Sequence, residues 1–207
     1  MKFIGIVGTN SATSTNRKLL QFMQQHFAGK VELEICEIKD LPAFNEPEDH
    51  AVPTAVQALS AKIEAADGVI ISTPEYDHAI PAALKSALEW LSYTTRPLID
   101  KPVMIVGASH GSLGSSRAQA HLRQILDAPE LKARIMPSSE FLLGRSLSAF
   151  DGQGNLLYPE KMLELEECFD EFMLFVKMIN QLKANHHFTT DRNKKFTWEH
   201  AAEGGNC

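Results

Sequence analysis

Continuous apolar runs alternate along this chain with stretches in which apolar residues recur every three or four positions. Phe3, Ile4, Ile6 and Val7 make up the first run and predict a strand over 2–7, apolar on both faces as in the middle of a parallel sheet. Leu19, Leu20, Met23 and Phe27 then follow helical spacing and predict a helix over 16–27. From 31 to 35 apolar and acidic residues alternate strictly, which suits a strand with one wet face at a sheet edge. Val56, Leu59 and Ile63 mark a second helix, and 68–73 reads as a buried strand. A third helix is expected over 81–91, with Pro81 in the first turn, where its missing N–H costs nothing. Another buried strand is expected over 102–107 and a fourth helix over 113–126. Residues 133–136 start a fifth strand that Pro137 demotes to an edge or broken one. Residues 151–155 read as a hairpin tip, and 160–183 as a long final helix.

This alternation of strands and helices argues for a doubly wound α/β sandwich. Five strands and five helices fit a flavodoxin-like three-layer sandwich, with a five-stranded parallel sheet of order 2-1-3-4-5, better than a six-stranded dinucleotide fold. Residues 1–184 would form this one domain, and 185–207 a separate tail. In such sheets ligands bind beyond the carboxyl ends of the strands near the switch point, here the loops after Val7, Thr73 and Gly107.

Composition removes several alternatives. A hydrophobic share of 44% and a charged share of 22% are ordinary for a water-exposed globular chain. A net charge of -6 and no basic run beyond Lys194-Lys195 argue against nucleic acid. No apolar run approaches the roughly 18 residues a membrane span needs, and the N-terminus lacks the pattern of a signal peptide. Cys36, Cys168 and Cys207 are far apart and odd in number, so they suggest neither a disulfide framework nor a zinc motif but a reducing cytoplasm.

The three loops carry the candidate chemistry. Between Gly8 and the first helix every residue but Ala12 bears a hydroxyl or an amide, and the loop feeds a helix N-terminus with its unpaired N–H groups. That makes a phosphate cradle without a lysine, and neither a Walker A nor a Gly-x-Gly-x-x-Gly pattern is present. Plain capping by Ser14 or Thr15 is the alternative, but capping needs one such residue. The second loop, 74–78, offers the aromatic face of Tyr76 and a backbone restrained by Pro74 and Pro81, as a flavin ring would want. It also reads as a simple surface turn. The third loop, 107–114, has glycines that permit close approach of the backbone to a ligand, with Arg117 following. A phosphate, a ring and a close backbone contact at one sheet edge suit a single ligand, a mononucleotide flavin.

On these residues the chain resembles the NADPH-dependent FMN reductase family, which includes quinone, chromate and azo-dye reductases. The phosphate-loop pattern is matched by Gly8, Ser14 and Asn16, with Thr9 for a Ser. The ring-binding segment is matched by Pro74, Glu75, Tyr76, Pro81, Leu84, Lys85 and Trp90, and the third loop by Ser109, Gly111, Gly114 and Arg117. The resemblance implies FMN bound by Thr9, Ser11, Ser14, Thr15, Asn16, Pro74, Glu75, Tyr76, Asp77, Ser109 and Gly111. Two departures stand out. Ser11 replaces the family's Arg, which Arg17 would have to offset, and Asp77 replaces an Asn and loses an amide donor. Ring binding is therefore expected to rest on Tyr76 and backbone rather than on the Asp77 side chain.

The implied activity is that of an FMN-dependent NAD(P)H oxidoreductase. NADH or NADPH gives hydride to flavin N5 and leaves, and a small acceptor (a quinone, free flavin, an azo compound or a metal oxyanion) enters the same space, giving ping-pong kinetics. No catalytic acid or base is required; His78 and His110 are candidates for proton donation or dinucleotide phosphate, or else ordinary loop residues. Competing readings are a flavodoxin-type electron carrier, a redox-signalling flavoprotein without turnover, and a nucleotide-binding domain without flavin. The final helix carries a stripe of Met162, Leu165, Phe169, Phe172, Val176 and Ile179, widened by Leu163, Cys168, Met173, Phe175, Met178 and Leu182. That width suits a homodimer or homotetramer as well as a deeply buried helix. Phe188, Phe196 and Trp198 suggest that the tail docks on the body or a neighbour. His186, His187 and His200 match no metal-ligand spacing, so no metal is expected.

Overall fold

The computed structural model describes residues 1–138 and 140–185. The strands are β1 (Lys2–Val7), β2 (Glu32–Glu37), β3 (Gly68–Ser72), β4 (Pro102–Ala108), β5 (Arg134–Ile135) and β6 (Phe141–Leu143). The helices are α1 (Thr15–His26), α2 (Thr54–Ala65), α3 (Ala82–Trp90), α4 (Ser116–Leu126) and α5 (Pro159–Asn185). Every pairing is parallel, in the order β2-β1-β3-β4-β5, with β6 also against β4. This is the expected α/β sheet, with the alternating strand at its edge. The fifth position is filled by two short strands instead of one. β5 runs beside Pro102 and Val103, β6 beside Val106 to Ala108, and Pro137 lies between them with no N–H for the ladder.

Alternation along the strands sends side chains to two core halves. On one face Phe3 and Val7 join Leu19, Leu20 and Met23 of α1 and Leu165, Phe169, Phe172 and Val176 of α5. The rings of Phe27 and Phe169 stack there at 3.8 Å and 6°. On the other face Ile4 and Ile6 join residues of α2, α3 and α4, among them Val56, Ile63, Leu84, Leu88, Leu122 and Leu126. The final helix is not buried all round: Leu165 and Phe169 are sealed, whereas Leu163, Leu174 and Met178 on its outer side stay exposed.

Two helix starts differ from expectation. Pro81 is the residue before α3, extended at φ −59° and ψ 145°, not the first helical one. α4 starts at Ser116 instead of 113, because Gly114 (φ 60°) and Ser115 (φ 72°) are left-handed and no right-handed helix can run through them. α3 runs on into a π-helical turn, Leu91–Thr95, which periodicity did not foretell. Cys36 and Cys168 are free thiols, and burial pushes both pKa values up. Among the described residues no helix is long and apolar enough to cross a membrane. The docking expected of the tail, and the His186, His187 and His200 question, fall on residues outside those described.

Candidate active site

All three loops meet at the carboxyl edge of the sheet, around a cleft of about 490 Å³. Its first wall is the turn into α1. Ser14 caps that helix, its Oγ accepting from the N–H groups of Asn16 and Arg17 at 3.2 Å each. Among the described residues none accepts from the backbone N–H groups of Thr13 or Thr15, and both residues line the cleft. With the helix dipole behind them, such donors favour a phosphate.

Asn16 lines the cleft and also does a structural job. It is buried, and its side chain ties two strand tips together. Nδ2 donates to Ala108 O at 2.8 Å, while Oδ1 accepts from Ala108 N and from Ser72 Oγ at 2.9 Å each. Its amide thereby sets the start of α1 against β3 and β4. Arg17 does not replace the missing loop arginine either. Its guanidinium holds Glu37, with Nη2 to Oε2 at 2.8 Å, and braces the loop from behind by donating to Ser11 O and Ala12 O. The Glu37 hydrogen bond pushes the Arg17 pKa up. The cradle thus relies on backbone N–H groups and hydroxyls, with no cation of its own.

The second wall is a two-residue hairpin. Tyr76 and Ala79 exchange backbone bonds at 3.0 and 2.9 Å, and Asp77 (φ 50°) and His78 (φ 63°) make the turn. Both turn residues in the left-handed region fit the type I′ geometry, which Asp tolerates nearly as Asn does. The turn puts the Tyr76 ring at the cleft, 48% exposed, with its hydroxyl 3.3 Å from Thr9 Oγ1. Thr9 itself is buried and serves Tyr76 and the Ser11 N–H; it does not line the cleft. Nor does Asp77, which sits on the exposed turn.

Glu75 lines the cleft, and its carboxylate is engaged within the protein. α4 lacks a cap of its own, since the Ser115 side chain accepts from no backbone N–H of its first turn. Glu75 fills that role from another element, accepting from Arg117 N at 3.0 Å and Ala118 N at 3.4 Å, and pairs with the Arg117 guanidinium at 3.3 Å. It locks the ring loop to the start of α4. Trp90, part of the same segment, is buried in the core and donates to Pro42 O at 2.8 Å. Lys85 pairs with Glu89 at 2.7 Å.

The third wall comprises Ala108 to Leu113. Its glycines divide the work. A Cβ on Gly107 would stand 2.6 Å from Thr73 O, and one on Gly114 2.6 Å from Leu142 C, so those two serve packing of the protein on itself. Gly111 meets nothing within 4 Å and is the one that leaves room at the cleft. Ser109 lines the same wall, and the histidines 78 and 110 stand exposed at its rim. Sequence reading missed Ser146, a buried residue whose Oγ lies 2.8 Å from Thr15 Oγ1 and joins the phosphate loop to the segment after β6. No local signal links positions so far apart.

The profile of the NADPH-dependent FMN reductase family matches residues 1–147. The chain is 62% identical to an NADH:(hydroxy)cinnamate reductase subunit of Vibrio ruber, covering 96% of this chain and 98% of that one. It is 43% identical to subunit 2 of an NADH-dependent flavin reductase of Lactobacillus johnsonii, covering 86% and 98%. It is 41% identical to a quinone reductase of Escherichia coli K12, again covering 86% and 98%. Among solved structures, a flavoenzyme NAD(P)H:(acceptor) oxidoreductase from Paracoccus denitrificans superposes with a TM-score of 0.70 at 26% identity, covering 87% of this chain and 97% of that one.

Proposed function

The chain belongs to the NADPH-dependent FMN reductase family, and from that membership we propose how its cleft is used. It is an NAD(P)H-dependent oxidoreductase with FMN as cofactor. Bound FMN supplies a ring that takes hydride from the nicotinamide and passes reducing equivalents to an acceptor. The residues present fit that cofactor. The N–H groups of Thr13 and Thr15, with the hydroxyls of Ser11 and Thr13, would hold the phosphate. Pro74, Tyr76 and the backbone beside them would hold the ring, and Ser109 and Gly111 the opposite wall. Asn16 and Glu75, which also line the cleft, and Thr9 behind it position these groups through bonds within the protein.

NADH or NADPH and the acceptor take turns in the one cleft, so the kinetics are ping-pong. The acceptor is a small molecule such as a quinone or free flavin; the relatives' names span (hydroxy)cinnamate, flavin and quinone acceptors, consistent with an open site. The observation that carries the reading is the pair of unpaired N–H donors facing an exposed Tyr76 across one cleft. Steady-state oxidation of NADH by the FMN-loaded protein, with menadione or FMN as acceptor, tests it. Parallel double-reciprocal lines are expected. A protein that binds FMN yet oxidises no NAD(P)H would be an electron carrier instead.

We also propose that the chain works as an oligomer, a homodimer or homotetramer, in the cytoplasm. Two of the relatives are named as subunits, and the outer side of α5 exposes Leu163, Leu174, Met178 and Leu182. Light scattering should return a multiple of the 23.0 kDa chain mass, falling to the monomer in a Leu174→Glu, Met178→Glu variant.

A further inference from the structure

A second groove, of about 640 Å³, adjoins the cleft and shares Ser112 and Leu113 with it. Its other side is formed by the end of β6, the segment after it and the start of α5, including Leu142, Arg145 and Tyr158. Glu160 and Lys161 also line it, and Lys161 is engaged with Glu164 at 2.6 Å. Arg145 is the lining cation whose guanidinium has no partner among the described residues.

Arg145 is held in place with unusual care for an exposed side chain. Its backbone is left-handed at φ 50°, a conformation that L side chains avoid. Its N–H donates to Gly111 O at 2.8 Å, and the next N–H, of Ser146, donates to Ser109 O at 3.0 Å. Ser146 also meets Thr15 at 2.8 Å. On the other side Gly144 packs so closely that a Cβ there would stand 2.5 Å from Ser112 O. The segment is thus hung on both the third loop and the phosphate loop, and it sets an unpaired guanidinium beside the cleft.

We propose that this groove takes the phosphate-bearing part of NADH or NADPH, with Arg145 as its ion partner. The assignment rests on the reading of the main cleft as the FMN site. With FMN in that cleft, a nicotinamide can approach its ring while the rest of the dinucleotide lies outside. The groove continues from the cleft across Ser112 and Leu113, and it offers a forked cation suited to bidentate phosphate contact. A quinone has no anionic group for Arg145 to meet, but a carboxylate acceptor has, so the test must separate dinucleotide from acceptor.

FMN-loaded wild type and Arg145→Gln are compared in two ways. Calorimetry gives Kd for NAD⁺, NADP⁺ and FMN. Anaerobic bleaching of the yellow protein is followed with NADH and with 1-benzyl-1,4-dihydronicotinamide, a hydride donor without phosphates. The expected result is a rise of about tenfold in dinucleotide Kd, slower bleaching by NADH, unchanged bleaching by the benzyl donor and an unchanged FMN Kd. Arg145→Lys should recover part of the affinity. Equal dinucleotide Kd in wild type and Arg145→Gln overturns the assignment. So does a loss shared by the benzyl donor, or a higher KM for a carboxylate acceptor with dinucleotide binding intact. Wild type that binds FMN but is bleached by neither donor would overturn the oxidoreductase reading itself, which is a different failure.

Discussion

At the amino-terminal edge of the sheet, charges meet one another. Lys2 and Lys62 share Glu34 at 3.0 and 2.9 Å, the Lys2 N–H donates to Asp67 at 2.8 Å, and Arg134 holds the buried Asp100 at 2.7 Å. Lys101, also buried, donates to Glu64 O and Ala66 O at 3.1 and 2.6 Å. At the carboxyl-terminal edge the fixed groups brace one another, and a second set is left open: the N–H donors of Thr13 and Thr15, the Tyr76 ring and the Arg145 guanidinium. The first edge is paired within itself; among the described residues the second leaves donors without acceptors. Burial alone does not separate the two, since Asn16 is as hidden as Asp100. What differs is whether the donors nearby have acceptors.

The largest effect is expected from removing the brace on which the open edge stands. Asn16→Ala leaves Ala108 N, Ala108 O and Ser72 Oγ without their partner. It should cost about 4 kcal/mol in urea unfolding and abolish FMN binding. A loss under about 1 kcal/mol would mean that water replaces Asn16 freely.

The closed edge makes the next largest prediction. Burial, with a smaller push from Lys183, lowers the Lys101 pKa from 10.5 to about 8. Below about 8 both folded and unfolded states are protonated, and burying the ammonium is a constant cost. Between that value and 10.5 the unfolded chain binds more protons, so stability rises with pH in that window. Wild type should gain about 2 kcal/mol relative to Lys101→Met between about pH 8 and about pH 9.5. Denaturant midpoints at the two pH values check this; parallel behaviour of the two proteins contradicts it.

Two smaller effects sharpen the account of the ring loop. Glu75→Ala removes the cap of α4 and should cost about 1 kcal/mol, with weaker FMN binding. Asp77→Asn restores the family's residue at an exposed turn position. It should change stability by less than about 0.5 kcal/mol and leave the FMN Kd within about threefold. A larger gain in affinity would show that the side chain at 77 reaches the ring after all.

The layout of the sheet was legible because its signal is local. Continuous apolar runs gave β1, β3 and β4, strict alternation gave the edge strand, and Pro137 marked the break between β5 and β6. The three site loops followed from the fold, since their position at the carboxyl edge is a matter of topology. The division of labour within them was not legible. Asn16 finds Ala108 across 92 positions, and Glu75 finds Arg117 across 42. No pattern near either residue says whether its side chain will meet a ligand or another loop. The same holds for the glycines, where Gly107 and Gly111 look alike in the chain yet face a packed neighbour and open space. Arg17, next to the loop in sequence, was turned away by Glu37 on the neighbouring strand.

The claim that most needs testing is that the open donors at the start of α1 hold a phosphate without help from a cationic side chain. Fluorescence titration of the purified protein with FMN and with riboflavin, which has the same ring and no phosphate, addresses it directly. FMN should bind at least about tenfold more tightly than riboflavin. Equal affinity for the two would contradict it.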